Sequence, residues 1–582
     1  MLFAGAFLCI FTLFQSHNIN HGFGFPLDDP WIHLQFARNL HDYGAFSYYK
    51  DQMITSGSTS PLYTFILAAG FFITNNEMIL SYTIGIAFLL LAAFMAFRLA
   101  YILFEHDIIF SLSAAFLVII NHRLQWIAIS GMETTLFISL LLMVLFFYYT
   151  RKYLQLGIVS GLLLWARPEA IILYAVLAVD IFFNLKIVKQ PKVKKHRNIP
   201  HRVDLSWIKK AVPYTIVIIT VYAAFNLILS GSIFPNTYSA KMKYYSGPGQ
   251  DFPGQVFSFL IDGNMYLFAI LALVSIVRII WNVVRRKQNR FLILLLWSIF
   301  LFVAYWHDLP KLYQNGRYLM PIIPIYIIFV LDGLKIFISW LKERIHFLTK
   351  PNVAEAMAVL VILIFVFQAG EKSLASETSY IKDCRYITDR QVKTALWIRD
   401  NIPENAVVAT HDIGAIGFYS NRQIVDMVGL VSPEMIKNIG RFDLLKEFLV
   451  KSKVTHIAVL KNWFEIVNEN PLMQTDPTSP EVMQVFRFDP ERTHFTSQEA
   501  TRLNDAGEYY LSAGNAAYAF QIFRQSLGLD PQSARTNFLI GKAALLLRDT
   551  ALAWQRFNIV GRLQPDYPGL SDEVSNLRIE RH

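Results

Sequence analysis

Residues 78–97 read MILSYTIGIAFLLLAAFMAF, twenty positions without a charged side chain. An α-helix of that length is about 30 Å long, which is the thickness of the hydrocarbon layer of a bilayer. Ten further apolar runs surround it, at 1–14, 108–120, 134–149, 154–166, 170–183, 211–229, 264–277, 291–305, 318–331 and 356–367. The pattern predicts a polytopic α-helical membrane protein of about eleven spans. Several runs are shorter than a full crossing, so their helices extend into flanking polar residues. The run 1–14 lacks the basic flank and small-residue site of a cleaved signal and reads as a span. It is short for one, which implies that the chain begins upstream. Composition agrees: 54% hydrophobic, 15% aromatic and 16% charged residues, with a mean hydropathy of +0.37, set the chain apart from soluble globular proteins. The net charge of +10 does not point to nucleic acid, because Lys and Arg collect in short connections between apolar runs. Two cysteines, Cys9 and Cys384, make no disulfide or metal framework.

Counting Lys and Arg in alternate connections gives the orientation. One set, at 98, 151–152, 186–210, 278–290 and 335–350, carries 21; the other, at 15–77, 121–133, 167–169, 230–263 and 306–317, carries 8. Basic connections stay cytoplasmic, so the second set faces outward together with everything after residue 370. Within the first outward connection, residues 30–41 and 61–74 have helical spacing. At 14 residues the second is short for a crossing and would break the charge alternation, so both read as helices along the membrane surface.

The outward connections hold the groups that are costly beside lipid. Asp28 and Asp29 stand side by side ahead of a helix; they either cap it or, through mutual repulsion near a low-dielectric surface, include one carboxylate less acidic than usual, as a general base requires. Arg167 and Glu169 lie between two apolar runs and must be paired. Glu133, Asn236, Lys241, His307 and Arg317 complete the outward polar set. For Glu133, Arg167 and Glu169 a structural ion pair competes with a role at a site; for Lys241 and Arg317 the competing role is snorkelling to headgroups.

After residue 370 the composition turns soluble. Residues 371–498 alternate helical patterns with β-rich runs at 406–410, 423–428 and 455–460, which predicts an α/β domain. His411 and Asp412 ahead of Gly414 and Gly417 read as a strand-to-helix turn with a cap as readily as a site. Residues 499–582 repeat at a 34-residue period, Ala519 with Ala553, Phe523 with Phe557 and Pro531 with Pro565, a tetratricopeptide-like pattern of helix pairs. Two such units stack poorly alone and need the preceding domain or a protein partner to lean on.

The runs DDPWIHLQFARNL (28–40), SGSTSPLYTFILA (56–68), SGMETTLF (130–137), WARPEA (165–170), FPNTYSAK (234–241), HDLPKLYQNGRYLMPIIP (307–324) and DIGAIGFYSNRQIVDMVGLVSPE (412–434) resemble, in this order, the GT-C glycosyltransferases, in particular their arabinofuranosyltransferase-like branch. The likeness covers residues 1–465 and leaves out the tetratricopeptide-like tail. It implies a GT-C module at 1–370 in a bacterial inner membrane, with an extracytoplasmic C-terminal domain. It implies transfer of a pentose or hexose from a polyprenyl-phosphate donor to an envelope glycan, lipid or protein. Asp28 would be the base and Asp29 would tune it, hold the acceptor or help to hold a divalent cation. Pro30 and Trp31 replace the small residue and Tyr usual after the acidic pair, which bears on sugar and acceptor identity.

The chemistry follows without the resemblance as well. A polyprenyl phosphate is a good leaving group, so a base, alignment and cations for the departing phosphate suffice, with inversion at the anomeric carbon. Lys241, Arg317, Arg167 and His307 are the outward cations. Asp28, Asp29 and His307 are donors that a divalent ion could use, though their spacing does not define a metal site. A carrier of polyprenyl-linked sugars would show inverted repeats, which the sequence lacks. A non-catalytic scaffold with a recruiting tail would have no use for the acidic pair.

Overall fold

The computed structural model describes residues 2–50, 52–188, 206–245, 251–262, 265–287, 289–350 and 352–580. The most basic part of the connection at 186–210 lies outside these residues. The chain forms two compact units, Met1–Ile387 and Thr388–His582.

Every apolar run of the first unit is helical: Leu2–Asn20, Glu77–Leu103, Ile108–Ile119, Thr134–Thr150, Tyr153–Ala166, Ala170–Val188, Ser206–Ser230, Tyr266–Val284, Leu292–Asp308, Ile323–Lys342 and Val353–Ile387. Among the described residues, five helices are long and apolar enough by themselves to cross a membrane, and Ile108–Ile119 with His122–Ala128 forms a sixth such segment bent by 54°. The bend falls at Asn121, whose side chain accepts from the backbone of Arg123 and Leu124, both at 3.2 Å, and so starts a new helix. Thr134–Thr150, Tyr153–Ala166 and Leu292–Asp308 are shorter apolar helices.

Small residues let these helices approach closely. A Cβ on Gly85 would lie 1.9 Å from the carbonyl oxygen of Ala128, and one on Gly333 would lie 1.8 Å from that of Leu271. Backbone on backbone leaves no room for repacking. The ion pairs divide into two sets. Arg278–Asp332, Arg290–Glu105 and Lys335–Asp107 join the basic connections to one another. The pairs described below join only the other five connections and the segment after the last apolar run. None of the ion pairs named here links one set to the other.

The two helices of the first outward connection are Asp29–Tyr43 and Pro61–Phe71, separated by a two-strand antiparallel hairpin, Ser47–Tyr49 with Gln52–Ile54, that the hydropathy pattern does not reveal. The first of them is not an exposed surface helix. Trp31, Ile32, Leu34 and Phe36 are buried, and the helix packs on Pro61–Phe71. Its acidic start is thereby seated inside the unit.

In the second unit a five-stranded sheet runs Gln423–Asp426, Val407–Thr410, His456–Leu460, Met483–Arg487, Met473–Gln474. The first three strands are parallel and the last two antiparallel. Asp412 stands at the start of the helix Ile413–Ser420, but its carboxylate accepts from Gln391 Nε2 at 2.8 Å and makes no cap. Four helices, Gln498–Ser512, Ala516–Leu529, Ala534–Leu546 and Thr550–Leu563, then pack as two consecutive pairs. Ala519, Phe523, Ala553 and Phe557 are buried at equivalent places. In each pair a glycine of the first helix, Gly507 or Gly541, lies directly against that phenylalanine. Arg535, buried at the start of the third helix, bonds Glu465 at 2.6 Å, Asp505 at 2.6 Å and Glu508 at 2.7 Å.

Gly333→Ala is expected to lower the thermal unfolding midpoint of the detergent-solubilised protein by an amount equivalent to about 1–3 kcal/mol of overpacking. Gly370→Ala, where nothing lies within 4 Å of the added methyl, should leave the midpoint unchanged or raise it.

Candidate active site

Phe25, Pro26 and Leu27 are buried and bring the chain to the acidic pair in a set direction. Pro30 then starts the helix with its fixed φ. Asp28 occupies the N-cap position in a helical rather than extended conformation, and its side chain makes no cap bond. The capping explanation of the pair is thus not realised there. Asp29 Oδ2 accepts from Lys241 Nζ at 2.9 Å and from Arg317 Nη2 at 2.6 Å. Burial pushes the Asp29 carboxyl up, but Lys241 and Arg317 together outweigh it and hold the group well below the usual carboxylate range. Burial likewise opposes the charge on Lys241, and Asp29 restores it. Arg317 also donates to the Tyr318 hydroxyl at 3.2 Å, and its side chain is 4% exposed, so it is not snorkelling.

Arg167 centres a second group. Its Nη2 and Nε donate to the two oxygens of Glu169 at 2.7 and 3.3 Å, a fork-on-carboxylate contact. Its Nη1 lies 3.7 Å from Glu133 Oε1 and donates to Thr134 Oγ1 at 3.4 Å. The Tyr305 hydroxyl donates to Glu169. Glu133 Oε2 faces His33 Nε2 at 3.5 Å, and His33 Nδ1 shares a hydrogen with Ser58 Oγ at 2.9 Å. Burial raises the Glu133 carboxyl, while His33 and Arg167 lower it further, to about 2.

A cavity of about 260 Å³ connects the groups. Lys241 and Arg317 line one part, Arg167, Glu133 and Glu169 another, and Ile171, Ile172, Phe234, Ala304 and Leu309 supply apolar wall. Asp29 sets one carboxylate against Lys241 and Arg317, while Glu133 and Glu169 set two against Arg167, and Asp308 adds a further carboxylate to the cavity wall.

Of the residues singled out from sequence, Asp29, Lys241, Arg317, Arg167 and Glu133 come together here, each from a different one of the connections poor in Lys and Arg. Asn236 does not line the cavity. Its side chain donates to Thr55 Oγ1 at 2.7 Å and to Ser230 Oγ at 3.3 Å, anchoring the helix Asn236–Tyr245 that carries Lys241. His307 also stands apart: its side chain is 87% exposed and its Nδ1 sits 2.5 Å from Asp308. Tyr305, Tyr318, Tyr238 and His33 belong to the site and were not singled out. Tyr305 ends an apolar run, Tyr318 begins one and Tyr238 follows one, places where a tyrosine also serves as an interfacial anchor, so residue type alone did not mark them. The donors do not fit a divalent cation. The Asp29 oxygen is held by two cations, His307 points away, and among the described residues no three His, Cys, Asp or Glu side chains converge.

Residues 382–516 match a family described as a domain of unknown function, DUF8728. No curated protein matches the sequence. Among solved structures the chain is similar to ArnT from Cupriavidus metallidurans bound to undecaprenyl phosphate, at 13% identity over 83% of this chain and 97% of that one, with a TM-score of 0.48. It is also similar to ArnT from the same organism in the apo state, at 13% identity over 79% and 93% of the two chains, with a TM-score of 0.45.

Glu133→Gln should lower the unfolding midpoint at pH 7 by the equivalent of about 3 kcal/mol, since one partner of a buried pair is lost. With a folded value near 2 against an ordinary 4.5, the contribution of Glu133 is complete above about pH 4.5 and is lost as pH falls toward about 2. The gap between wild type and variant is therefore constant from pH 7 to 5 and narrows below, as a pH series of thermal melts would record.

Proposed function

We propose that the chain is a GT-C glycosyltransferase that moves a sugar from a polyprenyl-phosphate donor to an acceptor hydroxyl outside the cytoplasm. The observation that carries this reading is the Asp29 carboxylate held between Lys241 and Arg317, three residues from three connections, with the two cations lining an apolar-sided cavity. The pair of cations exceeds its counter-charge by one, which suits a phosphate. The apolar wall suits the first isoprene units that follow it.

In this reading the two aspartates have different tasks. Asp29 stays ionised and is committed to two cations, so it is a poor proton acceptor and a good alignment post. Asp28, partly buried beside it at the start of the same helix, is the base. It takes the proton from the acceptor hydroxyl as that oxygen attacks the anomeric carbon. The bond from that carbon to the phosphate oxygen breaks, the phosphate leaves with the electron pair, and Lys241 and Arg317 receive its charge. Attack opposite to the departing phosphate inverts the anomeric centre. The Glu133–Arg167–Glu169 group, rich in acceptors, suits the hydroxyls of the sugar or of the acceptor. The acceptor is an envelope glycan, lipid or protein, and the membrane is the bacterial inner membrane with the second unit on its outer side.

Purified protein in nanodiscs, supplied with a polyprenyl-phosphate pentose or hexose and envelope acceptors, is expected to form a glycosylated product. Asp28→Asn should reduce transfer by about 10²–10⁴-fold with expression unchanged. Full transfer by that variant would remove Asp28 as the base. Lys241→Ala should reduce kcat and weaken donor binding together, and a flippase in place of a transferase would move labelled lipid across vesicles without a new glycosidic bond.

A further inference from the structure

Gln314, Asn315 and Gly316 hold left-handed backbone in succession, with φ of 52°, 61° and 72°. Glycine adopts this conformation freely, but two of the three positions are not glycine, and such a run persists only where its surroundings impose it. The next residue is Arg317. The turn therefore decides where the guanidinium that meets Asp29 begins.

What imposes the turn is a second polar cluster, outside the cavity. Arg123 Nη1 donates to the carbonyl oxygen of Asn315 at 2.8 Å and to its side-chain oxygen at 2.9 Å. Arg123 Nη2 donates to Asp262 Oδ1 at 3.1 Å. The same carboxylate has His122 Nδ1 at 3.4 Å and Lys372 Nζ at 3.9 Å. The Arg123 guanidinium lies over the Phe259 ring, 4.4 Å from its centre, and a Cβ on Gly316 would lie 2.8 Å from that ring. Helix Phe252–Ile261 is thus a seat for the turn, and Arg123 is the clamp that fastens it. Arg123 is itself aimed by the Asn121 cap at the bend between Ile108–Ile119 and His122–Ala128.

We propose that Arg123 is a positioning residue for the transfer reaction, acting through Asn315 to hold Arg317 where it can bind the donor phosphate. The proposal rests on the reading of Arg317 as a phosphate-binding cation. A guanidinium is required because one fork serves the turn and Asp262 together, which the point charge of a lysine cannot do. A solely structural tie would instead make its contribution independent of Arg317.

Binding of farnesyl phosphate to the full chain in nanodiscs separates the cases without knowledge of the sugar. Arg317→Ala is expected to weaken binding about 10-fold or more, the scale of a charge-assisted bond. Arg123→Ala should weaken it about 10-fold, and Arg123→Ala/Arg317→Ala should bind no more weakly than Arg317→Ala alone. Asn315→Gly keeps the left-handed turn and its carbonyl, so it should stay within about 3-fold of wild type. Asn315→Val opposes that backbone and should behave like Arg123→Ala. Wild-type affinity in Arg317→Ala overturns the phosphate reading and this proposal with it. An effect of Arg317→Ala combined with wild-type affinity in Arg123→Ala, or an equal effect of Arg123→Ala in both backgrounds, overturns the proposal alone. Should Arg123→Ala not fold, equal affinity of Asn315→Gly and Asn315→Val overturns it.

Discussion

A charge enclosed by apolar packing has to find its opposite, and Asp29 finds two, 212 and 288 positions further along the chain. This requirement organises the first unit. Close glycine contacts fix how near individual helix pairs approach, but they do not bring distant connections to one point. A carboxylate that must meet both Lys241 and Arg317 permits far fewer arrangements. The Arg167 group adds a second such condition, tying the connection at 167–169 to Glu133 and to Tyr305. Polar contacts here do the locating, while apolar contacts supply the bulk of the packing.

The architecture was readable because lipid solvation is a blunt requirement. A run that must cross hydrocarbon has to be apolar along its length, so each of the eleven apolar runs left a mark in composition, whereas the short helices His122–Ala128, Asn236–Tyr245 and Phe252–Ile261 did not. Charge counting sorted the connections into two sets, and the ion pairs named above each fall within one set. Asp29, Lys241 and Arg317 were conspicuous for a related reason, since ionisable groups beside lipid are expensive, and the structure brings these three together.

Residues whose chemistry is ordinary were harder to place. Asn236 looked like part of a site and instead ties a helix to Thr55. His307 looked like a cation for phosphate and lies open on Asp308. Arg123 passed as a lone charge in a short connection, because its partners, Asn315 and Asp262, are more than a hundred positions away and neither is unusual in type. The left-handed run at 314–316 was also hidden, since glutamine gives no hint of it. Gly507 and Gly541 share the 34-residue offset that revealed the repeats, and only their contacts with Phe523 and Phe557 explain why they recur.

The helical tail meets the sheet region through its turns. Asn468 donates to the carbonyl oxygen of Gln532 and accepts from the backbone of Ala534; Asn470, two residues on, donates to Asp566. Successive turns of the array thus bond two asparagines of the segment that follows the strand Glu465–Val467, and His494 with Thr496 of the paired strand holds Asp530. A free solenoid can fray from its last repeat inward, one module at a time. Here asparagine contacts tie both modules to the segment beside the strand pair, so the last repeat has an attachment besides its neighbour and fraying from that end is opposed.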